Sequence, residues 1–317
     1  MSLRLAHLSD LHAFSLENTS SLPFFSKRAA GFLNMQLHRK ERHPQRILDA
    51  LVDDLNAHPP DEVVITGDVT NLALESEFRL ARTLLDRIEI GARHVTAVPG
   101  NHDVYTLDAL VRRPFHAHLA PYAASDSGDE GFPFVRVREP LAIIGLSTAR
   151  PSPVPFASGS LGRRQRERLE ERLYELGRRG LFRVVLMHHP PVDNRVAFLR
   201  GLRDRRELAS LLARVGCELV LHGHEHRDLE AELRGPTGPI PVSCVASASY
   251  EDVSSDGKRS DRRARYHVYE IDAASHNAAH GPARILSRTI RAYDVKTGRF
   301  ESISEPQLLA NMRWCSP

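Results

Sequence analysis

Several apolar, β-branched stretches of this chain stop on residues that bind metal ions, and that repetition limits the fold more than any other feature. Glu62-Val63-Val64-Ile65 runs into Thr66-Gly67-Asp68, which reads as a buried strand delivering Asp68 to a sheet edge, where α/β proteins keep their chemistry. Leu3 to Leu8 ends at Asp10 and His12, and His94 to Val98 ends at Asn101 and His102. Phe182 to Met187 ends at His188, and Glu218 to Leu221 ends at His222 and His224. If these strands lie side by side their ends converge, and Asp68 becomes the natural shared ligand.

Between the strands the apolar spacing turns helical. Ile47, Leu48, Leu51, Val52 and Leu55 give one face to a helix that starts at Pro44 and stops before Pro59-Pro60. Phe78, Ala81, Leu84, Leu85 and Ile88 do the same for the next, so the first third reads β-α-β-α-β, a parallel sheet with right-handed crossovers. Phe134 to Arg138 and Leu141 to Ser147 read as adjacent strands, Arg163 to Arg179 as a charged surface helix, and Arg205 to Val215 as another helix. Leu229–Leu233, Val242–Ala246, Tyr266–Ile271 and Ile285–Tyr293 read as mostly antiparallel strands. The expected class is α/β, with two mixed β-sheets packed face to face and helices on the outside. One domain is expected over 1–317, carrying a basic amphipathic insertion at 14–43 and a β-rich extension at 276–317.

Composition narrows the partners. Of 317 residues 41% are hydrophobic, enough for a sizeable core, and 43 Lys and Arg against 40 Asp and Glu leave a charge of only +3, so no dedicated nucleic-acid surface is evident. Cys217, Cys244 and Cys315 are odd in number and widely spaced, which argues against a disulfide framework and for a reducing compartment. The N-terminus is broken by Arg4 and His7 and reads as a first strand, not a secretion signal, so a cytoplasmic location is expected. In Phe14–His43, Phe25, Ala29, Phe32, Leu33 and Leu37 recur at helical spacing among Lys and Arg. Packing on the domain is the commoner outcome for such a segment; the alternative is contact with lipid at the inner membrane surface, or capping of a groove for an acyl chain.

Taken in order, the blocks Asp-x-His, Gly-Asp, Gly-Asn-His-Asp, His and Gly-His-x-His resemble the calcineurin-like metallophosphoesterase family, from Leu3 to His226. The resemblance implies a four-layer α-β-β-α sandwich around two divalent metals. It makes Asp68 the bridging ligand, completes one site with Asp10, His12 and His224, and completes the other with Asn101, His188 and His222. Imidazole, carboxylate and amide ligands without thiolate suit manganese, iron or zinc; manganese is the first expectation for activity in vitro. The family's reaction is in-line attack on phosphorus by a metal-bridging hydroxide. His102 resembles the family's proton donor to the leaving oxygen, and Asp103 is expected to orient His102, hold the loop or cap a helix. His189 and His226 are expected to face solvent or stand behind the ligands. Glu225 occupies a position where a small hydroxyl residue is commoner, and is expected to point away from the metals. The remaining histidines, His43 among them, read as surface or core.

The block spacing resembles bacterial cyclic-nucleotide-type phosphodiesterases, which implies a small, nucleotide-like phosphodiester as substrate. The 14–43 insertion favours as alternative a UDP-diacylglucosamine-type pyrophosphate hydrolase acting on an acylated substrate at the membrane. A catalytically inactive binding module of the same fold is the further alternative.

Overall fold

The computed structural model of the chain describes residues 2–14, 43–128, 131–152, 156–192, 197–251, 263–272, 284–303 and 307–308. From the N-terminus, β1 (Ser2–Leu8), α1 (Gln45–Ala57), β2 (Glu62–Ile65), α2 (Glu75–Asp86) and β3 (Val95–Ala97) make a β-α-β-α-β unit, followed by the short helices α3 (Leu107–Arg112) and α4 (Pro114–Leu119). A second unit runs through β4 (Phe134–Arg138), β5 (Leu141–Gly145), α5 (Arg163–Arg178), β6 (Phe182–Leu186), α6 (Ala197–Arg200), α7 (Arg205–Val215), β7 (Leu219–His222), β8 (Leu229–Arg234) and β9 (Pro239–Cys244). Then come β10 (Arg265–Asp272), β11 (Arg284–Asp294), β12 (Arg299–Ser302) and β13 (Gln307–Leu308).

These strands form two mixed sheets. The first has the order β12-β11-β10-β1-β2-β3, with β13 beside β11; the second has the order β4-β5-β6-β7-β9-β8. Strands β1, β2 and β3 are parallel, as are β5, β6, β7 and β9, so in each sheet the strand ends that carry chemistry lie along one edge. Side-chain alternation fixes the layers. Leu141, Ile143, Val184, Leu186, Leu219 and Leu221 share a core with the first sheet, while Ala142, Ile144, Val185 and Val220 point the other way, to Leu169, Leu173, Leu176, Leu208 and Leu212 of α5 and α7. On the far side α1 covers the first sheet and is pinned to it by Asp54, which accepts from Tyr266 Oη at 2.5 Å and Arg291 Nε at 2.6 Å. Arg136 on β4 reaches across to the Val95 carbonyl of β3 at 2.7 Å and ties the two sheet edges together.

The architecture is the one expected from the sequence, and the differences have local causes. Strand β9 starts at Pro239 and ends at Cys244, earlier than the expected Val242–Ala246, and takes in two prolines, Pro239 and Pro241. Both are accommodated because β7 pairs only with Val242, Ser243 and Cys244. Strand β7 extends one residue further than expected, through His222, with consequences for the site. The amphipathic reading of 14–43 falls on 15–42, which lies outside the described residues; Phe14 and His43 are described. Part of the 276–317 extension joins the first sheet as β11, β12 and β13. Cys217 and Cys244 are buried free thiols, and Cys315 lies outside the described residues. Among the described residues no helix is long and apolar enough to cross a membrane.

Candidate metal centre

The ends of β1, β2 and β3 face the ends of β6 and β7, and the turns that follow them interlock. Beyond β1 the chain keeps to the β2 turn, with Asp10 N–H donating to the Gly67 carbonyl and His12 N–H to that of Asp68, both at 2.9 Å. A Cβ on Gly223 would lie 1.8 Å from Ser9 Oγ, so only glycine lets the turn after β7 come this close to β1. A Cβ on Gly100 would lie 2.2 Å from Asp68 Oδ1, and the β2 and β3 turns meet in the same way. Among the described residues seven non-glycine residues have positive φ, and five of them surround this junction: Asp10, His12, Asp68, His224 and His226. Such backbone costs of order 1 kcal/mol or more per residue and persists where the surrounding contacts impose it, which marks a functional site.

Two groups of ligand-type side chains result. Asp10, His12 and His226 form one and Asp68, His188 and His224 the other, the candidate atoms of each lying within 4.8 Å of one another. In the first, His12 Nε2 is 3.3 Å from His226 Nε2, which is 3.2 Å from Asp10 Oδ1. In the second, His188 Nε2 is 3.3 Å from Asp68 Oδ2 and 3.2 Å from His224 Nδ1, and Asn101 Oδ1 joins at 3.1 Å. His188 Nδ1 donates to the Thr66 carbonyl at 2.7 Å, so the neutral ring presents a bare Nε2 to those oxygens and to His224. Lone pairs thus outnumber protons around each point, and the donors are imidazole, carboxylate and amide oxygen without thiolate. That set fits a divalent cation.

The electrostatics agree. Burial, then the neighbouring His43 and His226, hold His12 well below its usual pKa. Burial, then His189 and His188, do the same for His224, so both rings are neutral, the form that binds metal. Burial works to raise Asp68, but His188 and His102 outweigh it and keep the carboxylate ionised. For His188, burial favours the neutral ring, yet the carboxylates of Asp68 and Asp10 lift it to about 9 when no cation takes the proton's place.

The structure does not bring His222 to either group. It is the last residue of β7, paired in register with Cys244 and buried, with Nδ1 3.0 Å from the Gly223 carbonyl. Because the strand includes it, its side chain belongs to the sheet interior and not to the turn. His224 accordingly stands with Asp68 and His188, not with Asp10 and His12. The place expected for it is taken by His226, read from the sequence as solvent-facing or behind the ligands. The signal was present: Gly-His-x-His begins at Gly223, which makes His224 and His226 its histidines. His189 is buried behind His224, held by Thr148 Oγ1 at 2.7 Å and the Ala157 carbonyl at 3.0 Å, and burial with the nearby His188 lowers it to about 3.

His102 and Asp103 separate in role. The His102 N–H donates to Asp68 Oδ1 at 2.7 Å and its Nδ1 to the Asn71 carbonyl at 2.6 Å, while its ring stacks on Tyr105 at 5.4 Å. Asp103 accepts from the N–H groups of Gly100, Val69 and Thr70 and from Thr70 Oγ1, at 2.8 to 3.2 Å, and so clamps the β2 turn to the β3 turn. Burial and then the Asp68 charge push it up to about 7. A cavity of about 230 Å³ opens over both groups, lined by His43, Asp68, Asn101, His102, Arg200 and Tyr250 among others. Glu225, expected to point away, lines this cavity too, with its carboxylate 3.9 Å from Arg227.

Glu77 supports the site from behind. It accepts from the N–H groups of Leu72 at 2.8 Å and Leu74 at 3.2 Å, fixing the turn whose Asn71 carbonyl holds His102. Burial raises its pKa from 4.5 to about 7. The folded protein therefore binds this proton more tightly than the unfolded chain does. The stabilisation is complete below about pH 4.5 and is lost as pH rises through about 7. Between pH 5 and 8 the stability of Glu77→Gln is expected to improve relative to the parent by roughly 2–3 kcal/mol. Urea unfolding at the two pH values measures this, and a constant gap would show that Glu77 does not titrate in that window.

The sequence profile of the calcineurin-like phosphoesterase family matches residues 3–228. The chain belongs to the calcineurin-like phosphoesterase family. Among curated relatives of this phosphoesterase-family chain, a probable cyclic nucleotide phosphodiesterase of Rhodococcus erythropolis is 28% identical over 195 residues, 60% of this chain and 58% of that protein. The glycerophosphodiester phosphodiesterase GpdQ of Enterobacter lignolyticus is 27% identical over 190 residues, 59% of this chain and 57% of its own. The match thus spans somewhat more than half the length of either relative. Of solved structures, a dimetal phosphatase from Danio rerio superposes with a TM-score of 0.59 at 11% identity, covering 96% of this chain and 98% of that one. Purple acid phosphatase PPD1 from yellow lupin gives 0.58 at 12%, covering 95% and 53%. At such identities these two speak for the fold alone.

Proposed function

We propose that this chain is a dinuclear-metal-dependent phosphodiesterase acting on a small phosphodiester. The observation that carries the reading is the convergence of two lone-pair-rich groups, Asp10/His12/His226 and Asp68/Asn101/His188/His224, at one cavity to which His226 of the first and Asp68, Asn101 and His224 of the second are open. In this reading each group holds one divalent cation and Asp68 is shared between them. Two bound cations would neutralise charge on the phosphoryl oxygens and supply a hydroxide for in-line attack.

The protein's own groups do the rest. His102, fixed through Nδ1–H on the Asn71 carbonyl, carries the transferable proton on Nε2 and gives it to the leaving oxygen, and the fixed Nδ1 bond keeps the tautomer defined afterwards. Asp103 positions by clamping the turns and leaves the proton chemistry to His102. A cavity of about 230 Å³ is smaller than the ~300–1,000 Å³ that encloses a drug-sized ligand, so it takes the phosphoryl group and a small arm and leaves a larger substituent outside. The cyclic nucleotide and glycerophosphodiester named for the two curated relatives are both substrates of this kind.

Purified protein loaded with manganese, iron or zinc is expected to hold two equivalents and to hydrolyse bis(p-nitrophenyl) phosphate. His226→Ala is expected to lose bound metal and at least about a hundredfold in kcat/KM, whereas His222→Ala keeps both equivalents. Metal content by mass spectrometry alongside turnover decides it. Release of metal by His222→Ala with retention by His226→Ala would reverse the ligand assignment, and a metal-loaded parent inactive on phosphodiesters would sink the function.

A further inference from the structure

His43 follows the basic stretch and stands at the rim of the cavity, not on the outer surface. Its Nδ1 lies 2.7 Å from Ser249 Oγ, which also donates to the main-chain carbonyl of Asp10 at 3.3 Å. Three residues on, Arg46 pairs with the buried carboxylate of Glu251. Two side-chain links therefore fix the entry to α1 against the segment that follows β9, and a residue this far from the family's motifs is delivered to the site by design of the packing. The His43 ring meets His12 edge to face with centroids 4.8 Å apart and Tyr250 at 5.6 Å, while His102 meets His12 at 5.2 Å. His12 is thus flanked by two imidazoles, neither of which belongs to either ligand group.

We propose that His43 is a substrate-binding residue that hydrogen-bonds the ester arm retained on phosphorus and so selects phosphodiesters over phosphomonoesters. The proposal rests on the phosphodiesterase reading above. A diester differs from a monoester by that second arm, and the arm has to leave the cavity along its wall. In-line displacement gives the leaving oxygen one side of phosphorus, and His102 is committed to it. His43 and Tyr250 form wall on the His12 and His226 side, where the arm that stays can meet them. An imidazole donates or accepts, so a hydroxyl or other polar group carried by the arm beyond the ester oxygen satisfies it, and a monoester has no such group at that place.

The test compares bis(p-nitrophenyl) phosphate with p-nitrophenyl phosphate on the manganese-loaded full chain. His43→Ala is expected to lower kcat/KM for the diester about three- to tenfold more than for the monoester, the size of one hydrogen bond between neutral groups, with the larger part in KM. Metal content is expected to match the parent. His43→Gln keeps a hydrogen-bonding group and is expected to recover part of the diester preference, which also guards against a folding defect in the alanine variant. Equal losses on both substrates in both variants overturn the proposal, because a purely structural role would not discriminate. Loss of bound metal overturns it as well, by making His43 a ligand. A metal-loaded parent that turns over monoesters but no diester overturns both the phosphodiesterase reading and the role of His43, whereas an active parent with an unchanged ratio in His43→Ala overturns only the latter.

Discussion

Asp68→Ala is expected to release both metal equivalents and to cut kcat for bis(p-nitrophenyl) phosphate by at least about a thousandfold. The size follows from what the carboxylate holds together. Its Oδ2 faces His188 Nε2 at 3.3 Å and its Oδ1 accepts the His102 N–H at 2.7 Å, so one side chain serves a ligand group and the segment carrying the proposed proton donor. Removing it takes away the carboxylate that both cations would share, and leaves His188 with only the weaker carboxylate influence of Asp10. Loss of one equivalent with the other fully retained would confine Asp68 to the His188/His224 group and end its bridging role. Asp68→Asn separates charge from shape: it keeps an oxygen for the His102 N–H, and is expected to weaken metal binding without loosening the turn.

His102→Ala is expected to keep both metals and lose about 10²- to 10⁴-fold in kcat on alkyl diesters, while nitrophenyl esters lose much less. A nitrophenolate leaves without a proton and an alkoxide does not, so the loss should grow with the pKa of the leaving alcohol. A uniform loss across leaving groups would assign His102 to positioning, through its side-chain bond to the Asn71 carbonyl, since the main-chain bond to Asp68 survives in the alanine variant. Thr70→Ala offers a contrast. It removes one of the donors to Asp103 and is expected to lower activity on all leaving groups alike, since it loosens the clamp between turns and touches no proton.

The parallel strands and their endings were legible in the sequence because each is a short apolar run that stops at residues of metal-ligand type, after a glycine at β2 and β3 and without one at β1 and β6, and such a stop puts the next side chains at the sheet edge. Asp10, His12, Asp68, Asn101 and His188 are found by that rule, and the structure gathers them. The rule fails by one step at β7, where Leu221 and His222 are both in the strand: a chain of letters does not show where a hydrogen-bond ladder ends. The two-residue spacing of His222, His224 and His226 makes either adjacent pair look suitable by spacing alone; the glycine that opens Gly-His-x-His is Gly223, and its close approach to Ser9 is the physical reason that glycine stands there. His43 was illegible for a different reason. Its neighbours Ser249 and Tyr250 are more than two hundred residues away, and no local pattern records a contact at that separation. Strand β9, expected over Val242–Ala246 where the apolar run lies, begins at Pro239, and the tolerance of its prolines depends on how far the neighbouring strand reaches.

The donors of each group come from both sheets: Asp10 and His12 follow β1 while His226 follows β7, and Asp68 follows β2 while His188 follows β6. A cation seated there is consequently a rivet through the sandwich. Chelation should let the two halves breathe apart, with amide exchange accelerating in β1 and β7 together, and the melting temperature should climb with free metal concentration as mass action requires.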